Sequence, residues 1–315
     1  MSAVTTNTLA GFLQVYAQNS LAQFIAQAPL LSKFTTNFSN EVVNGGTAVI
    51  TRLPTTAWST PNDLTQGWAK TSATASSVTM TLGLKDYDIA FNELEYSTIT
   101  PNMLQNTYFP AMVSQLANGI VVDAINTVTS SAFTTTMTVA SSSVLRTVGA
   151  TGSLQYASQL LTQNEVPAAG RFAILSPAAY VGVTTDVVPT YIYGNSNVVQ
   201  NYSGLKLIDF EPVVQYPRFT GATLPSGGSK YSNSDKLIGI AGHGQGICVA
   251  IRQPLDINNG IVQSYTATDA SSGISIQARI MYDVNQAIYR FAVVALYGVA
   301  AGNTKAIVPI ITQSV

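Results

Sequence analysis

The fold is decided by VTMTLGLKDYDIAF, the stretch that covers residues 78–91. Apolar side chains occupy the even positions up to Leu84 and then the odd positions from Tyr87 onward. Alternation with a period of two predicts a strand with one buried face, and a change of parity turns the side chains to the other face. We therefore predict an extended segment with a bulge or bend near Lys85 and Asp86.

A second extended segment precedes this one. Residues 47–53, TAVITRL, follow a glycine pair and end before a proline, which predicts a strand bounded by turns. Residues 54–77 connect the two segments without periodicity and contain Trp58 and Trp68. Such a long connection is unusual inside a compact domain, and an isolated hairpin is marginal in water. We interpret the pair as a projecting hairpin whose tip packs on another subunit; a tip folded back on its own domain is the alternative.

Helical patterns lie on both sides of the hairpin. Two short amphipathic patterns precede it and end before Pro29. After it, Thr100 is a suitable N-cap and Pro101 a suitable first residue for a long helix over residues 101–129. Pro110 is expected to kink this helix or to split off its first turns. The rest of the chain mixes short helices with strands, so we predict an α+β fold.

The composition predicts an unusually neutral exterior. Only 9% of the 315 residues are charged and the net charge is −1, whereas an ordinary soluble domain carries about 25% charged residues. Surfaces with few charges tend to associate, which favours a protein covered by copies of itself. A secreted or extremophile protein with a polar, uncharged surface is the alternative. The 14 Lys and Arg residues are scattered, which argues against a basic nucleic-acid-binding surface.

Targeting and membrane signals are missing from the sequence. Cys248 is the only cysteine, so no intrachain disulfide is expected. The N-terminus lacks the basic and apolar segments of a signal peptide. The most apolar stretch, residues 291–301, is too short for a bilayer, which needs about 20 residues. We expect no association with membranes.

Candidate catalytic groups are few. His243 is the only histidine, and it stands in GHGQG between two predicted strands. Without a second histidine or a cysteine pair, it fits a turn better than a metal site or a general base. Glu93 and Glu95, like Asp86 and Asp88, are spaced to share a strand face, as an acid/base pair would. Their position at the base of the hairpin instead favours subunit contacts or protection of an edge strand from mispairing. We predict no catalytic, metal-binding or cofactor-binding residues.

The order of these elements resembles the tailed-phage major capsid protein family, whose fold also builds encapsulin shells and the herpesvirus capsid floor. The resemblance covers nearly the whole chain and lies in the order and proportion of its parts. The similar segments are NGGTAVI at residues 44–50 (start of the E-loop), residues 78–97 (its returning strand), residues 101–133 (the spine helix), RFAILSP at residues 171–177 (axial domain), and Tyr297–Gly298 with residues 307–309 (closing strands).

The resemblance implies an α+β tailed-phage capsid fold with an N-terminal arm, an extended E-loop hairpin, a long spine helix, a peripheral domain and an axial domain. The implied ranges are 1–45 for the N-terminal arm, 46–92 for the E-loop hairpin, 93–150 for the peripheral domain with the spine helix, 151–252 for the axial domain, and 253–315 for the closing strands of the peripheral domain.

The resemblance also implies a structural role. The subunits would form hexamers and pentamers of an icosahedral shell that encloses double-stranded DNA, assembled in the host cytoplasm and carried in the virion. The expected partners are further copies of the chain, packaged DNA bound non-specifically, and separate scaffolding, portal and decoration proteins. Because no long charged leader precedes the arm, the scaffold is expected to be a separate protein or to be dispensable.

Particular residues follow from this role. Aromatic side chains dominate protein interfaces, so Phe12, Phe24, Trp58 and Trp68 are the expected intersubunit contacts. Some capsids of the family join an E-loop lysine to an asparagine of a neighbour. The resemblance therefore makes Lys70 and Asn303 a candidate crosslink pair.

Two alternatives remain open. The same fold could form an encapsulin-like compartment that encloses a cargo enzyme instead of DNA. A different class of protein, a monomeric hydrolase or sugar-binding protein with a low-charge surface, predicts a stable monomer with a pocket.

The hairpin interpretation predicts the behaviour of Trp68→Ala. Losing an indole that packs on a neighbour leaves the subunit folded but lowers the yield of particles. Circular dichroism of the subunit and negative-stain counts of particles measure the two effects. Normal particles at normal yield would show that the tip makes no such contact.

Overall fold

The computed structural model describes residues 6–54, 75–98, 103–129, 131–139, 145, 152–184, 205–207, 210–215, 235–259 and 261–313. The helices are α1 (Thr6–Gln27), α2 (Glu93–Thr98), α3 (Phe109–Asn126), α4 (Leu154–Gln163) and α5 (Pro177–Thr184). The strands are β1 (Thr35–Val43), β2 (Ala48–Pro54), β3 (Ala75–Thr81), β4 (Gly83–Asn92), β5 (Met137–Val139), β6 (Arg171–Leu175), β7 (Leu205–Leu207), β8 (Phe210–Gln215), β9 (Asp235–His243), β10 (Ile247–Pro254), β11 (Val262–Thr268), β12 (Ser275–Asp283), β13 (Ile288–Ala301) and β14 (Ile307–Gln313).

The first sheet is organised around β13. This 14-residue strand forms antiparallel ladders with β4, β10 and β12. β11 continues the sheet beyond β12, and β1 continues it beyond β10 as a parallel neighbour. Because β13 is bonded to β4 and β10 as well as to its sequence neighbour β12, it joins the hairpin segment, the middle of the chain and the C-terminal part in one sheet.

Helices α1 and α3 cover one face of this sheet. Leu116 and Ile120 are fully buried on α3, and they pack in one cluster with Phe291 and Val293 of β13. Their four-residue spacing places them on the same side of the helix. Leu13, Tyr16 and Phe24 of α1 belong to the same cluster, and the Tyr16 ring stacks on Phe109 at a centroid distance of 3.5 Å.

The N-terminal segment differs from the prediction in two ways. Residues 6–27 form one 22-residue helix instead of two short pieces. Helix α1 packs on the sheet of its own chain, and β1, which lies within the range predicted as an arm (1–45), is a strand of that sheet. An amphipathic helix must bury its apolar side somewhere, and here its own sheet supplies the surface. This corrects the expectation that the whole segment is an arm.

The long helix has the predicted interruption. A π-helical turn at Leu104–Tyr108 precedes α3, and Pro110 lies in the first turn of α3. The π-helical turn accommodates the proline, whose ring and missing N–H would disrupt a regular i→i−4 ladder. The prediction that Pro110 separates the first turns is confirmed, and α3 ends at Asn126, three residues before the predicted end.

The second sheet has the strand order β5-β14-β9-β6-β8-β7. This order divides the chain differently from the predicted domain ranges. β10 lies partly within the predicted axial range, 151–252, yet it pairs with β13 of the first sheet. β14 and β5, predicted as parts of the peripheral domain, pair with each other in the second sheet. The ranges follow sequence order, whereas the sheets are set by pairing between distant strands.

Two connections between the sheets cross at one point, which we call the crossing. The turn Gly244–Gly246 joins β9 to β10, and residues 302–306 join β13 to β14. The two turns bond to each other, from Gly302 N to Gly246 O at 2.8 Å and from Asn303 N to Gln245 O at 2.8 Å. A Cβ on Gly246 would collide with Ile307, and one on Gly302 would collide with the Gln245 carbonyl. The glycine cluster therefore allows two backbones to touch.

A buried arginine attaches α4 to the second sheet. Arg171 is 2% exposed. Its Nε donates to Pro167 O at 3.0 Å, and its terminal nitrogens donate to Ser158 Oγ at 3.0 Å, Thr162 Oγ1 at 3.1 Å and Val166 O at 2.5 Å. Several of these acceptors belong to the last turns of α4 and the loop after it, where carbonyl groups lack helical partners. The guanidinium therefore satisfies several buried acceptors at the end of α4 and in the loop after it.

Replacing this side chain tests its role. Arg171→Met keeps the apolar stem but leaves the buried carbonyls unpaired, so the unfolding free energy of the subunit should fall by about 3 kcal/mol. Urea unfolding of unassembled subunits measures the change. Lys305→Met, a substitution of an exposed lysine, is the matched control and should change stability by less than about 0.5 kcal/mol. Equal effects of the two substitutions would contradict this role.

Candidate assembly surfaces

The base of the predicted hairpin is anchored to the body of the subunit. β2 and β3 form an antiparallel pair from Ala48↔Thr81 to Pro54↔Ala75. On one face, Val49, Leu53, Met80 and Leu82 pack against Cys248, Ala250 and Leu296. On the other face Ile50 is 61% exposed. The described part of the hairpin therefore lies on its own subunit, and residues 55–74, which include the predicted tip, are outside the described residues.

The bend in the returning segment occurs at Leu82. β3 ends at Thr81 and β4 begins at Gly83, and Leu82 bonds to Gly46 and Thr47 between them. The predicted position near Lys85 and Asp86 is therefore wrong by three residues, and β4 is regular there. The chain bends where its partner changes, from β2 to β13.

A polar network fixes β4 to α3 and β13. The Lys85 Nζ of β4 lies 2.6 Å from Asp123 Oδ2 of α3. The Tyr297 hydroxyl of β13 donates a hydrogen bond to the same carboxylate oxygen. Burial raises the pKa of the Tyr297 phenol above its ordinary value, and its hydrogen bond to Asp123 raises it further. The three groups join the strand that leaves the hairpin to the helix and to the central strand.

A glycine in α3 allows this close approach. Gly119 faces the network, and a Cβ there would lie 2.8 Å from Tyr87 Oη and 3.1 Å from Lys85 Cε. Glycine in a helix costs about 1 kcal/mol of stability relative to alanine. The close contact with Tyr87 and Lys85 explains why glycine nevertheless stands at this position.

The paired carboxylates have structural partners. Asp88 Oδ2 of β4 accepts a hydrogen bond from Arg290 of β13 at 2.9 Å. Glu95 and Asn92 bond to each other's backbone N–H groups at 3.1 and 2.8 Å, which is a capping box at the start of α2. These contacts account for two of the four carboxylates without an acid/base site.

His243 lies at the crossing. Its Nδ1 accepts from Gln245 N at 3.3 Å, and burial lowers its pKa below the ordinary value, opposed by a hydrogen bond with the Ala169 backbone. Among the described residues no group of three or more His, Cys, Asp or Glu could hold a metal ion. The environment of His243 is that of a turn, as the glycine-rich sequence predicted.

An exposed aliphatic surface was missed by the sequence reasoning. We call it the rim patch, and it consists of Leu255, Ile257, Ile261 and Val284, which are between 38% and 70% exposed. Three of them, Leu255, Ile257 and Ile261, lie in the loop between β10 and β11. Ile261 O accepts from Tyr282 N, which brings the loop next to the β12–β13 turn that carries Val284. The sequence signal that could have revealed this surface is the presence of aliphatic residues on both sides of Asn258 and Asn259.

The loop that presents the rim patch is held by side chains. Asp256 Oδ1 accepts from Thr266 Oγ1 at 2.7 Å and from Gln277 Nε2 at 2.8 Å. Asn258 Oδ1 accepts from Ser264 N at 3.1 Å and Asn259 Oδ1 from Val262 N at 2.8 Å. The bonds from Val262 N and Ser264 N also occupy backbone donors of β11, the edge strand of the first sheet, which hinders its pairing with other strands.

Comparison with known proteins identifies the architecture. No protein-family model matches the sequence, and no curated protein matches it. Among solved structures, the capsid of the cyanophage P-SCSP1u is 10% identical, with 90% of this chain and 87% of that chain covered at a TM-score of 0.56. The mature capsid of bacteriophage PhiM1 is 11% identical, with 90% and 86% covered at 0.53. A structure of Mycobacterium phage Ogopogo is 11% identical, with 90% and 92% covered at 0.51.

The chain has the fold of a phage major capsid protein. The predicted resemblance and fold class are thereby confirmed, and the likeness extends over nearly the whole length of each compared chain. At these identities it establishes the fold alone.

The expected contact residues of this capsid fold are placed as follows. Phe24 is fully buried in the subunit's own core, which corrects its expected role at an interface, because α1 packs on the first sheet. The Phe12 side chain, Trp58, Trp68 and Lys70 lie outside what the structure describes. Asn303 lies half-buried at the crossing, where its Oδ1 accepts from Lys305 N at 3.1 Å. No helix of the described residues is long and apolar enough for a membrane span.

The buried phenol of the network predicts a dependence on alkaline pH. The folded-state pKa of Tyr297 lies above the unfolded value of about 10. Its contribution to stability is therefore complete below about pH 10 and is lost as the pH rises further, by up to about 1.4 kcal/mol per pH unit. Tyr297→Phe should weaken this alkaline loss, as measured by urea unfolding of subunits across the alkaline range. An unchanged slope would contradict the assignment.

Proposed function

We propose that the chain is the major capsid protein of a phage, the subunit of an icosahedral shell that encloses double-stranded DNA. The observation that supports the proposal is the likeness to two phage capsid structures and to a third phage structure over about 90% of the chain. The subunits assemble as hexamers and pentamers, and the protein acts in the virion after assembly in the host cytoplasm.

The surface supports this role. Identical copies that meet bring like charges together, and a chain with 9% charged residues minimises that repulsion. Several described charges are also engaged within the subunit, including Lys85 with Asp123 and Asp88 with Arg290. The rim patch adds aliphatic side chains that a free monomer leaves in water.

The mechanism is assembly and not turnover. A stable interface buries about 800 Å² on each partner, and each Å² of apolar area contributes about 25 cal/mol. Each subunit of a shell meets several neighbours, so modest contacts add up. The Lys85 network holds β4, the strand that returns from the hairpin, on the body of the subunit.

Further partners belong to the same proposal. Separate scaffolding, portal and decoration proteins would complete assembly, and packaged DNA would contact the subunit non-specifically because basic residues are scattered. Trp58 and Trp68 remain the proposed contacts of the hairpin tip. A crosslink between Lys70 and Asn303 of a neighbour remains a prediction, and it would require the Asn303 side chain to leave its bond with Lys305 N.

The decisive experiment is to purify the expressed chain and image it by negative stain. Closed icosahedral particles are expected, and nuclease-protected DNA inside particles from infected cells would confirm the content. Particles filled with a cargo enzyme would assign the chain to a compartment shell instead. A chain that stays monomeric under all conditions, including those with scaffolding protein, would overturn the proposal.

The rim patch makes a separate prediction. The double substitution Ile261→Thr with Val284→Thr removes apolar area while the subunit stays folded, because both side chains are exposed. Particle yield should fall at least about ten-fold, since 1.4 kcal/mol corresponds to about a factor of ten in each association step. Val15→Thr with Val42→Thr, which changes two exposed valines outside the rim patch, is the matched control. An equal loss in both variants would show that the rim patch has no special role.

A further inference from the structure

Asparagine followed by glycine occurs at three places in the chain, residues 44–45, 118–119 and 259–260. In this dipeptide the glycine nitrogen can attack the side-chain amide carbon of the asparagine, since no Cβ obstructs it. The new N–C bond closes a succinimide ring, and the side-chain nitrogen leaves as ammonia. Water then opens the ring and leaves either aspartate or isoaspartate. The sequence does not distinguish the three sites.

We propose that Asn44 is a site of spontaneous deamidation, with water as the co-reactant, and that the Thr47 side chain activates it. The other two sites are expected to react much more slowly. The reaction needs no enzyme, oxidant or metal, and it is independent of the proposed function.

The surroundings of Asn44 leave room for ring closure. Asn44 and Gly45 are both exposed, in the turn between β1 and β2. A Cβ built on Gly45 would meet nothing within 4 Å. Within the described residues no hydrogen bond holds the Asn44 side chain, so its amide carbon is free to approach the Gly45 nitrogen.

Hydrogen bonds from Thr47 supply the activation. Thr47 Oγ1 donates to Asn44 O at 2.8 Å, and Thr47 N donates to the same oxygen at 3.3 Å. The attacking Gly45 nitrogen must first lose its proton, and the resulting negative charge spreads onto Asn44 O because both atoms belong to one peptide group. Donors already aimed at an oxygen that gains charge lower the barrier to the reaction.

The site in α3 is restrained by its helix. Gly119 lies inside α3, where backbone N–H groups take part in the helical hydrogen bonds. The space beside it is occupied by Tyr87 and Lys85. Asn118 Nδ2 donates to Ser114 Oγ at 3.4 Å, which holds the side chain along the helix. Ring closure at Asn118 would require local unfolding.

The site in the β10–β11 loop is restrained by its side chain. Asn259 Oδ1 accepts from Val262 N at 2.8 Å and from Ile261 N at 3.2 Å. These bonds fix the position of the amide carbon, and Asn259 N donates to Val262 O as well. The Asn259 side chain is therefore held in a hydrogen-bonded turn, whereas within the described residues the Asn44 side chain has no such bonds.

Modification at Asn44 would act on the connection to the hairpin. Gly46 N donates to Leu82 O at 2.7 Å, and Leu82 N donates to Thr47 O at 3.0 Å, directly beyond the reactive peptide bond. Isoaspartate adds one methylene group to the main chain at this point, and both products add a negative charge. The turn that aligns β2 on β3 would thus change slowly with time.

The test uses the full chain, incubated in mildly alkaline buffer and then digested with trypsin. Cleavage after Lys33 and Arg52 isolates a peptide that contains Asn44, and fragmentation locates the conversion of amide to acid. We expect aspartate and isoaspartate at position 44 well before any at positions 118 and 259. Thr47→Val should slow the reaction between about three-fold and about ten-fold, since one donor is lost. Thr47→Ser, which keeps the hydroxyl, should restore the rate.

Other outcomes would overturn the proposal. Conversion of Asn118 or Asn259 as fast as Asn44 would show that the fold does not select the site. Equal deamidation rates at Asn44 in Thr47→Val, Thr47→Ser and the unchanged chain would show that the Thr47 hydroxyl does not activate the site. Thermal unfolding of each variant verifies that the turn remains folded, and Asn44→Gln, whose side chain is one methylene longer, is the control that should stay unmodified.

Discussion

The pairing of β4 with β13 is the contact on which the rest of the structure depends. β4 brings the chain from the hairpin into the body, and β13 is bonded to β10 and β12 on the rest of the first sheet. Lys85 and Tyr297, one from each strand, bind the same carboxylate of α3. Movement of β4 would therefore disturb the helix, the sheet and the direction of the hairpin together. In the proposed shell, where every subunit must present the same surfaces, such coupling would keep the copies alike.

The crossing is a second contact that constrains the fold. Two connections run between the sheets and bond to each other through Gly246, Gly302 and Asn303. Glycine is required because side chains there would collide with Ile307 or with the Gln245 carbonyl. Residues that look like a candidate catalytic loop in sequence, including His243, thus serve to bring two backbones together.

Several of the few charged residues form hydrogen bonds within the subunit. Arg171 bonds to buried carbonyls, and Arg252 donates to the Asn37 carbonyl and side chain. Asp256 holds the loop that carries the rim patch. Charges used inside the subunit do not repel other copies. The same loop both displays aliphatic side chains and covers part of an exposed strand edge, so it favours side-chain contacts over strand pairing.

The sequence by itself determined the local features: the alternating strands, the interruption at Pro110, the glycine turn, and, through the order of elements, the capsid fold. Each of these depends on the spacing of residues close together in the chain. Tertiary structure alone decided that α1 covers its own sheet, that the bend lies at Leu82, and that β10 and β14 join different sheets. Periodicity shows that a face is buried but not what buries it. The partner is chosen by contacts between residues far apart in sequence, as with β4 and β13, and that choice also separates the open turn at Asn44 from the same dipeptide within a helix.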